Sequence, residues 1–238
     1  MEQHSRTRLL LGQDAMDRLR SAKVIVFGLG GVGGYAVEAL ARAGIGRLDL
    51  VDNDVISETN LNRQILATHD TIGMPKTMVA AQRIRSIDPT ICINTYEVFF
   101  LPETADTFDF SQYDYVLDAI DTVTGKLELI TRAKAAGVPV ISCMGTGNKL
   151  DPSAFRVSDI SKTSGCALAR VIRKECGKRG IKDVKVVWSE ELPTPTTGTP
   201  EPIPEGSSRR SLPGSVPFVP GVAGLIMAGQ VIRDLSGV

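Results

Sequence analysis

The sequence predicts an α/β fold, a doubly wound and mainly parallel sheet, and three observations predict it. Val24–Phe27 is an apolar run suited to a buried strand, and it leads directly into glycines at 28, 30, 31, 33 and 34. An alanine-rich helical pattern follows, and the next apolar run ends on an acid, Asp52. Beyond it, apolar runs keep alternating with helical spacings, the order of a parallel sheet whose ligands gather at the strand C-termini.

Taken in order, Asp14–Ser21 reads as a helix with Met16 and Leu19 on one face. Lys23–Phe27 is the first strand and Gly33–Ala43 the helix after it. Arg47–Val51 alternates out of a Gly44–Gly46 turn as the second strand. Lys76–Ser86 carries Val79, Ile84 and Ile87 at helical spacing and stops at Asp88–Pro89. Ile91–Val98 is a strand of β-branched residues and Tyr113–Asp118 an apolar one. Thr124–Ala136 is a helix closed by Gly137, before a strand at Val138–Ser142. Gly145, Gly147 and Asn148 then suggest a loop, Pro152–Ile160 a short strand, and Lys185–Trp188 a further one. Pro193–Pro220 is rich in Pro, Ser, Thr and Gly, so 193–213 is expected to be a flexible loop. The closing apolar segment reads as an extended crossover into the final helix, and its apolar run Val219–Ala228 is too short for a membrane span, so dimer or core packing is expected.

Composition bounds the function. The chain has 238 residues, 42% of them hydrophobic, enough for one α/β domain with elaborations. Its formal net charge is zero, which argues against bulk nucleic-acid affinity but leaves room for a local basic face. The start, MEQHSRTR, is polar and unlike a signal peptide, and no uninterrupted apolar run reaches the roughly 20 residues of a membrane span. A cytoplasmic chain without a membrane span is expected. The cysteines at 92, 143, 166 and 176 form no CxxC pair, so a paired zinc site is not expected. Cys143, behind an apolar strand, reads as a small buried residue, while Cys166 and Cys176 lie in a basic stretch where either suits a reactive thiol.

The glycine run specifies anion chemistry. Glycines let the chain turn sharply and let phosphate oxygens approach main-chain N–H groups at a helix N-terminus, where positive partial charge collects. Alone, GxGxxG fits many dinucleotide-binding proteins, and Asp52 as a ribose ligand suits NAD and ATP equally. Asn60, Arg63 and Gln64 follow closely, and Lys76 comes after the Gly73–Met74–Pro75 turn. A pyrophosphate read by backbone has no need of a converging arginine and lysine. A triphosphate under attack does, since charge builds on its oxygens.

GLGGVGG at 28–34, VDNDVISETNLNRQ at 51–64, GMPK at 73–76 and LDAIDT at 117–122 together resemble the adenylating superfamily related to ubiquitin-activating enzymes and the bacterial thiamine and molybdopterin adenylyltransferases. The resemblance runs from about Arg6 to the last helix and implies a single Rossmann-like adenylating domain over 1–238, with ATP and Mg²⁺ as cofactors. It implies that Gly28, Gly30, Gly31 and Gly33 form the phosphate loop and that Asp52 takes the ribose. Asn60, Arg63, Gln64 and Lys76 would hold ATP, and Asp121 would orient its Mg²⁺. The implied catalytic set is Arg63, Lys76, Asp121 and Arg6, while Asp118 has the plainer role of ending its strand and capping the next turn. SRTRLLLG resembles the segment whose arginine reaches a partner subunit's ATP site, which implies a homodimer and Arg6, with Arg8 as the alternative. A monovalent cation is left open.

The second informative stretch, spanning 161–191, is basic. Arg170, Arg173, Lys174, Lys178, Arg179, Lys182 and Lys185 crowd together, with only Glu175 and Asp183 as acids. On a helix Arg170, Arg173 and Lys174 share a face, and Leu168, Val171 and Ile172 lie toward the other. A solvated helix and a phosphate-contacting RNA surface both fit this pattern. ARVIRKECGKRGI resembles the superfamily branch that dehydrates threonylcarbamoyladenosine in tRNA, which implies RNA contact through Arg170, Arg173, Lys174, Lys178, Arg179 and Lys182. Arg209 and Arg210 are further candidates. Dehydration would proceed by activating the carboxylate next to the anticodon. The alternative is an adenylyltransferase for the Gly-Gly tail of a ubiquitin-like sulfur carrier, from whose two CxxC pairs this chain departs. A sulfur-relay or cysteine-desulfurase-associated partner is implied as well. A nucleotide-binding regulatory module without turnover is the third reading.

Overall fold

The computed structural model describes residues 3–198 and 213–238. Two short helices, α1 (Ser5–Leu11) and α2 (Gln13–Ser21), precede β1 (Lys23–Phe27), α3 (Gly33–Ala43) and β2 (Arg47–Val51). Next along the chain are α4 (Lys76–Ile87), β3 (Cys92–Tyr96), β4 (Tyr115–Asp118), α5 (Val123–Ala135) and β5 (Val140–Cys143). The chain closes with β6 (Phe155–Asp159), α6 (Ala167–Lys178), β7 (Lys185–Ser189) and α7 (Phe218–Ser236).

The strands form one seven-stranded sheet in the order β3-β2-β1-β4-β5-β7-β6, parallel throughout except for the β6–β7 pair. The winding direction reverses between β1 and β4, where Phe27 pairs with Asp118, and ligands of such sheets bind outside this switch point. Alternation along β1 divides the core. Val24 and Val26 face α3, α4 and α7 on one side; Ile25 and Phe27 face α5 and a cluster of Phe100, Phe108 and Phe110 on the other. Phe27 stacks with Phe110 and meets Phe100 edge-on at 4.8 Å, fixing the end of β1 beside the switch point.

Three local expectations change. The N-terminal helix α1 was not legible: none of its residues is buried and no side chain caps it. Strand β3 stops at Tyr96 rather than Val98, because Val98–Phe100 turn away to line a cleft at the C-terminal ends of the strands. The last helix is 19 residues long and extends well past the apolar run Val219–Ala228, so by length and composition it could cross a membrane. Here it packs instead: Val219, Ala223, Met227, Ala228 and Val231 are buried against the α3 side of the sheet. Gly224 lets α7 press onto the start of α3, since a Cβ there would lie 2.2 Å from Val32 O. Part of the expected flexible loop, with Arg209 and Arg210, falls on residues 199–212, outside the described ones.

Candidate active site

The cleft, of about 1820 Å³, opens at the C-terminal ends of β1, β2, β4 and β5. Its floor is the β1–α3 turn. Gly28 has φ +87°, and a Cβ would sit 2.8 Å from Ala119 O; at Gly33 a Cβ would sit 1.8 Å from Gly28 O. Neither position admits a side chain. Gly30 differs: the nearest atom to a Cβ is Gln64 Nε2 at 3.9 Å, so its bareness keeps the cleft open rather than serving packing. Val32 caps helix α3 without a side-chain bond, and although the Gly34 N–H turns back to Gly30 O at 3.0 Å, the helix N-terminus faces the cleft with its positive end.

The carboxylate of Asp52 braces this turn. Its Oδ2 accepts the Leu29 N–H at 2.6 Å and its Oδ1 the Asp54 N–H at 2.8 Å. Burial pushes the Asp52 carboxyl up, against the pull of the Lys76 ammonium and these two donors. Lys76, itself buried, lies 4.0 Å from Asp52 Oδ1 but donates to Asp54 Oδ2 at 2.6 Å. Asp54 is a site residue that the sequence reading missed. The signal was the second acid of VDNDV, two residues of extended chain beyond the first. Backbone bonds from Gly73 N–H to Ile56 O and from Lys76 N–H to Asp54 O hold the Gly73–Lys76 turn against this strand end.

On the adjoining wall Arg63 donates to Thr59 O and Asn62 Oδ1, each at 2.8 Å. Asn60 is buried and accepts the Ser57 N–H at 3.2 Å, closing the turn that presents Arg63. Gln64 is buried too, and its Oε1 has no hydrogen-bond partner among the described residues. Asp121 lies exposed on the cleft wall past β4. Asp118 does cap the turn after its strand, accepting the Ile120 N–H, but it also carries a contact that the sequence did not disclose: a 2.7 Å ion pair with Lys126, both fully buried.

The opposite wall is Met144–Asn148. Asn148, at φ +56°, exchanges bonds with Gly214 (N–H to O at 2.8 Å, Oδ1 from N–H at 2.6 Å) and accepts the Thr194 N–H at 2.7 Å. It therefore joins 194 and 214 at the rim. Cys143 is buried beneath, its thiol pushed up to about 12 by desolvation. Cys166 and Cys176, whose reactivity the sequence left open, are buried as well; the exposed cysteine is Cys92.

The structure thus gathers Gly28, Gly30, Gly31, Asp52, Asn60, Arg63, Gln64, Lys76 and Asp121 into one cleft, with Gly33 packed behind it. Arg6 is not among them. It is exposed on α1, which docks through His4 on Asp88 (3.3 Å) at the opposite, N-terminal edge of β2 and β3. Helix α6 begins at the cleft, where Leu168 lines it, and buries Ala169, Ile172 and Cys176. Arg170, Lys174, Lys178, Arg179 and Lys182 are exposed, Lys178 in a 2.6 Å pair with Glu175. Arg173 is the exception to the expected basic face: it turns inward and donates to Thr163 O at 2.7 Å and to its hydroxyl. Val171 takes the outer position instead, 42% exposed.

Known proteins match the chain over nearly its whole length. The ThiF family model matches residues 4–238. A tRNA threonylcarbamoyladenosine dehydratase of Bacillus subtilis is 40% identical over 243 residues, covering 99% of this chain and 95% of that protein. The Escherichia coli protein of the same name is 39% identical over 168 residues, 71% of this chain and 63% of its own. A crystal structure of the E. coli tRNA N6-threonylcarbamoyladenosine dehydratase in complex with ATP superposes with a TM-score of 0.87 at 30% identity, covering 99% of this chain and 94% of that one.

Proposed function

The chain belongs to the ThiF family, and from that premise we propose that it is an ATP-dependent dehydratase closing a ring on N6-threonylcarbamoyladenosine of tRNA. The observation that carries this reading is the cleft. At about 1820 Å³ it exceeds the roughly 300–1,000 Å³ of an ordinary small-ligand site. The glycine turn, Arg63 and Lys76, to which we assign the phosphates, line one end, and the Met144–Asn148 wall with the start of α6 lines the other. That volume supports a site for two reactants rather than one.

The chemistry needs little from the protein beyond holding them. A carboxylate oxygen of the modified nucleoside attacks a phosphorus of ATP, forming a C–O–P link and expelling pyrophosphate (attack at α) or ADP (attack at γ). A side-chain nitrogen or oxygen then attacks the activated carbonyl, and AMP or phosphate departs with the oxygen that counts as the lost water. Arg63 and Lys76 neutralise charge gathering on the phosphates, Asp52 receives the ribose hydroxyls, and the glycine turn donates its N–H groups. Mg²⁺ commonly takes one or two carboxylates plus phosphate oxygens and water. Asp121 fits that habit, and the described residues contain no cluster of three His, Cys, Asp or Glu side chains that would hold a metal by themselves. When bound, the ion would neutralise phosphate charge.

No protein nucleophile is required, and Cys143 stays a thiol at neutral pH. The same cysteines weigh against the sulfur-carrier alternative, since Cys143, Cys166 and Cys176 are scattered buried side chains rather than paired metal ligands. Exposed Arg170, Lys174, Arg179 and Lys182 supply contacts for a tRNA backbone that reaches the cleft past Leu168. Homodimerisation belongs to the proposal: Arg6 stands at the far edge from its own cleft and serves catalysis only in a partner's. A cytoplasmic location, where tRNA is, a monovalent cation and a sulfur-relay partner complete it. The test is nucleoside mass spectrometry of tRNA incubated with the protein and ATP. Loss of one water from threonylcarbamoyladenosine is expected. An unchanged nucleoside, with pyrophosphate exchange stimulated by a Gly-Gly-tailed carrier, would replace this reading with the alternative.

A further inference from the structure

Lys126 occupies the first turn of α5, where the helix dipole disfavours a cation and a lysine ordinarily reaches solvent, yet it is fully buried. An ammonium has three N–H donors, and here each finds an acceptor: Asp118 Oδ2 at 2.7 Å, Cys143 O at 3.0 Å and Ser142 Oγ at 3.2 Å. Ser142 in turn donates to Asp118 Oδ2 at 2.5 Å. These acceptors are the last residues of two neighbouring parallel strands, β4 and β5, with Asp118 in register with Ser142. Each strand end runs directly into a wall of the cleft. Ala119–Thr122 form the nucleotide side, and Met144–Asn148 the acceptor side.

Stability alone does not call for this arrangement. Packed apolar residues commonly replace a buried ion pair with no loss of stability. What an ammonium with three fixed acceptors adds is direction, because each bond constrains an angle as well as a distance. The nucleotide loop itself leaves little slack, since Ala119 O lies 2.8 Å from where a Gly28 Cβ would be. A shift at the end of β4 therefore reaches the phosphate turn.

We propose that Lys126 is a positioning residue of the reaction: it fixes the separation between the Asp121 loop and the Met144–Asn148 loop, and so the distance between ATP and the carboxylate it activates. This rests on the dehydratase reading for what sits on each side of the cleft. Lys126 touches neither reactant. Its effect is on alignment, where a misplacement of about 1 Å can cost about a hundredfold in rate.

The decisive variant is Asp118→Asn with Lys126→Met, which removes both charges together and leaves neither buried alone. Melting temperature, ATP affinity by calorimetry and single-turnover dehydration are measured beside the wild-type protein. The expected result is an ATP Kd within about threefold of wild type, a melting temperature within a few degrees, and a rate at least about tenfold lower. An unchanged rate overturns the proposal. So does a rate that falls only in step with ATP affinity or folding, which is the mark of a merely structural pair. Should the double variant fail to fold, Ser142→Ala, which alters no charge, takes its place under the same criteria with an expected loss of about threefold. Wild-type protein that activates no nucleoside under these conditions would remove the dehydratase reading instead; ATP–pyrophosphate exchange then supplies the rate for the same comparison.

Discussion

The two halves of the cleft are built on opposite principles. On the β1–β2 side nearly every polar group is committed: Asp52 to two backbone N–H groups, Lys76 to Asp54, Arg63 to Thr59 O, Asn60 to Ser57. On the α6 side the cations of Arg170, Lys174, Arg179 and Lys182 stand in solvent, and Arg173, which is committed, is committed to the fold. A small, highly charged reactant requires fixed donors, because stabilising charge that develops in a transition state costs least when nothing has to reorganise. A long polyanion requires only a field and an approximate surface. The difference teaches which reactant each half serves.

Substitutions separate the halves, the largest effect first. Arg63→Ala is expected to lower turnover by about a hundred- to a thousandfold while leaving the melting temperature within a few degrees. Turnover at the wild-type rate would take the arginine off the phosphates. Lys76→Met comes next, with ATP binding weakened by about ten- to a hundredfold in calorimetry, the worth of a charge-assisted contact; tRNA affinity stays as it was.

The converse pair is Arg170→Glu with Lys174→Glu. It should weaken tRNA binding by about tenfold and lower the salt slope of log K by roughly 0.7–0.9 per lost phosphate contact, without touching ATP affinity. If ATP binding falls as well, the two halves are not independent. The smallest effect concerns pH. Burial holds the Asp52 carboxyl above its ordinary range in the folded protein, so its stabilising contribution is present at low pH and is lost as pH rises through the folded value. Asp52→Asn should therefore gain on wild type in melting temperature as pH rises above the ordinary aspartate pKa of about 4. A difference that does not change with pH would mean that the burial cost is already cancelled by Lys76.

The committed half was also the legible half. Gly28 and Gly33 are dictated by backbone collisions and the Arg63 and Lys76 charges by phosphate, and such requirements leave residue types at fixed spacing. The strands around them were readable for the same reason, because a buried parallel strand has no polar side to blur its run. Lys126 was illegible. A lysine on a helix reads as solvent-facing, and its acceptors come from two strand ends brought together only by the sheet. Arg173 shows the same limit in reverse, since its partner Thr163 sits ten residues away in a loop whose path the sequence does not announce. Asp54 is illegible because a second acid two residues past Asp52 reads equally as a solvated loop residue. Helix α1 has no buried face to impose a period, and the buried state of Cys166 and Cys176 depends on which side α6 turns inward.

One packing contact bears on how the molecule comes to exist at all. Helix α7 covers α3 and α2, so elements from the beginning of the sequence are finished by a helix from its far end. A ribosome delivers α3 long before α7, and domains otherwise tend to fold in order of synthesis. The nascent β1–α3 unit must therefore wait with the apolar surface under Val32 and Tyr35 uncovered until residues 218–236 emerge. Such distant pairings are slow to form. Until then the face that later supports the phosphate turn is the apolar surface left open to misassociation.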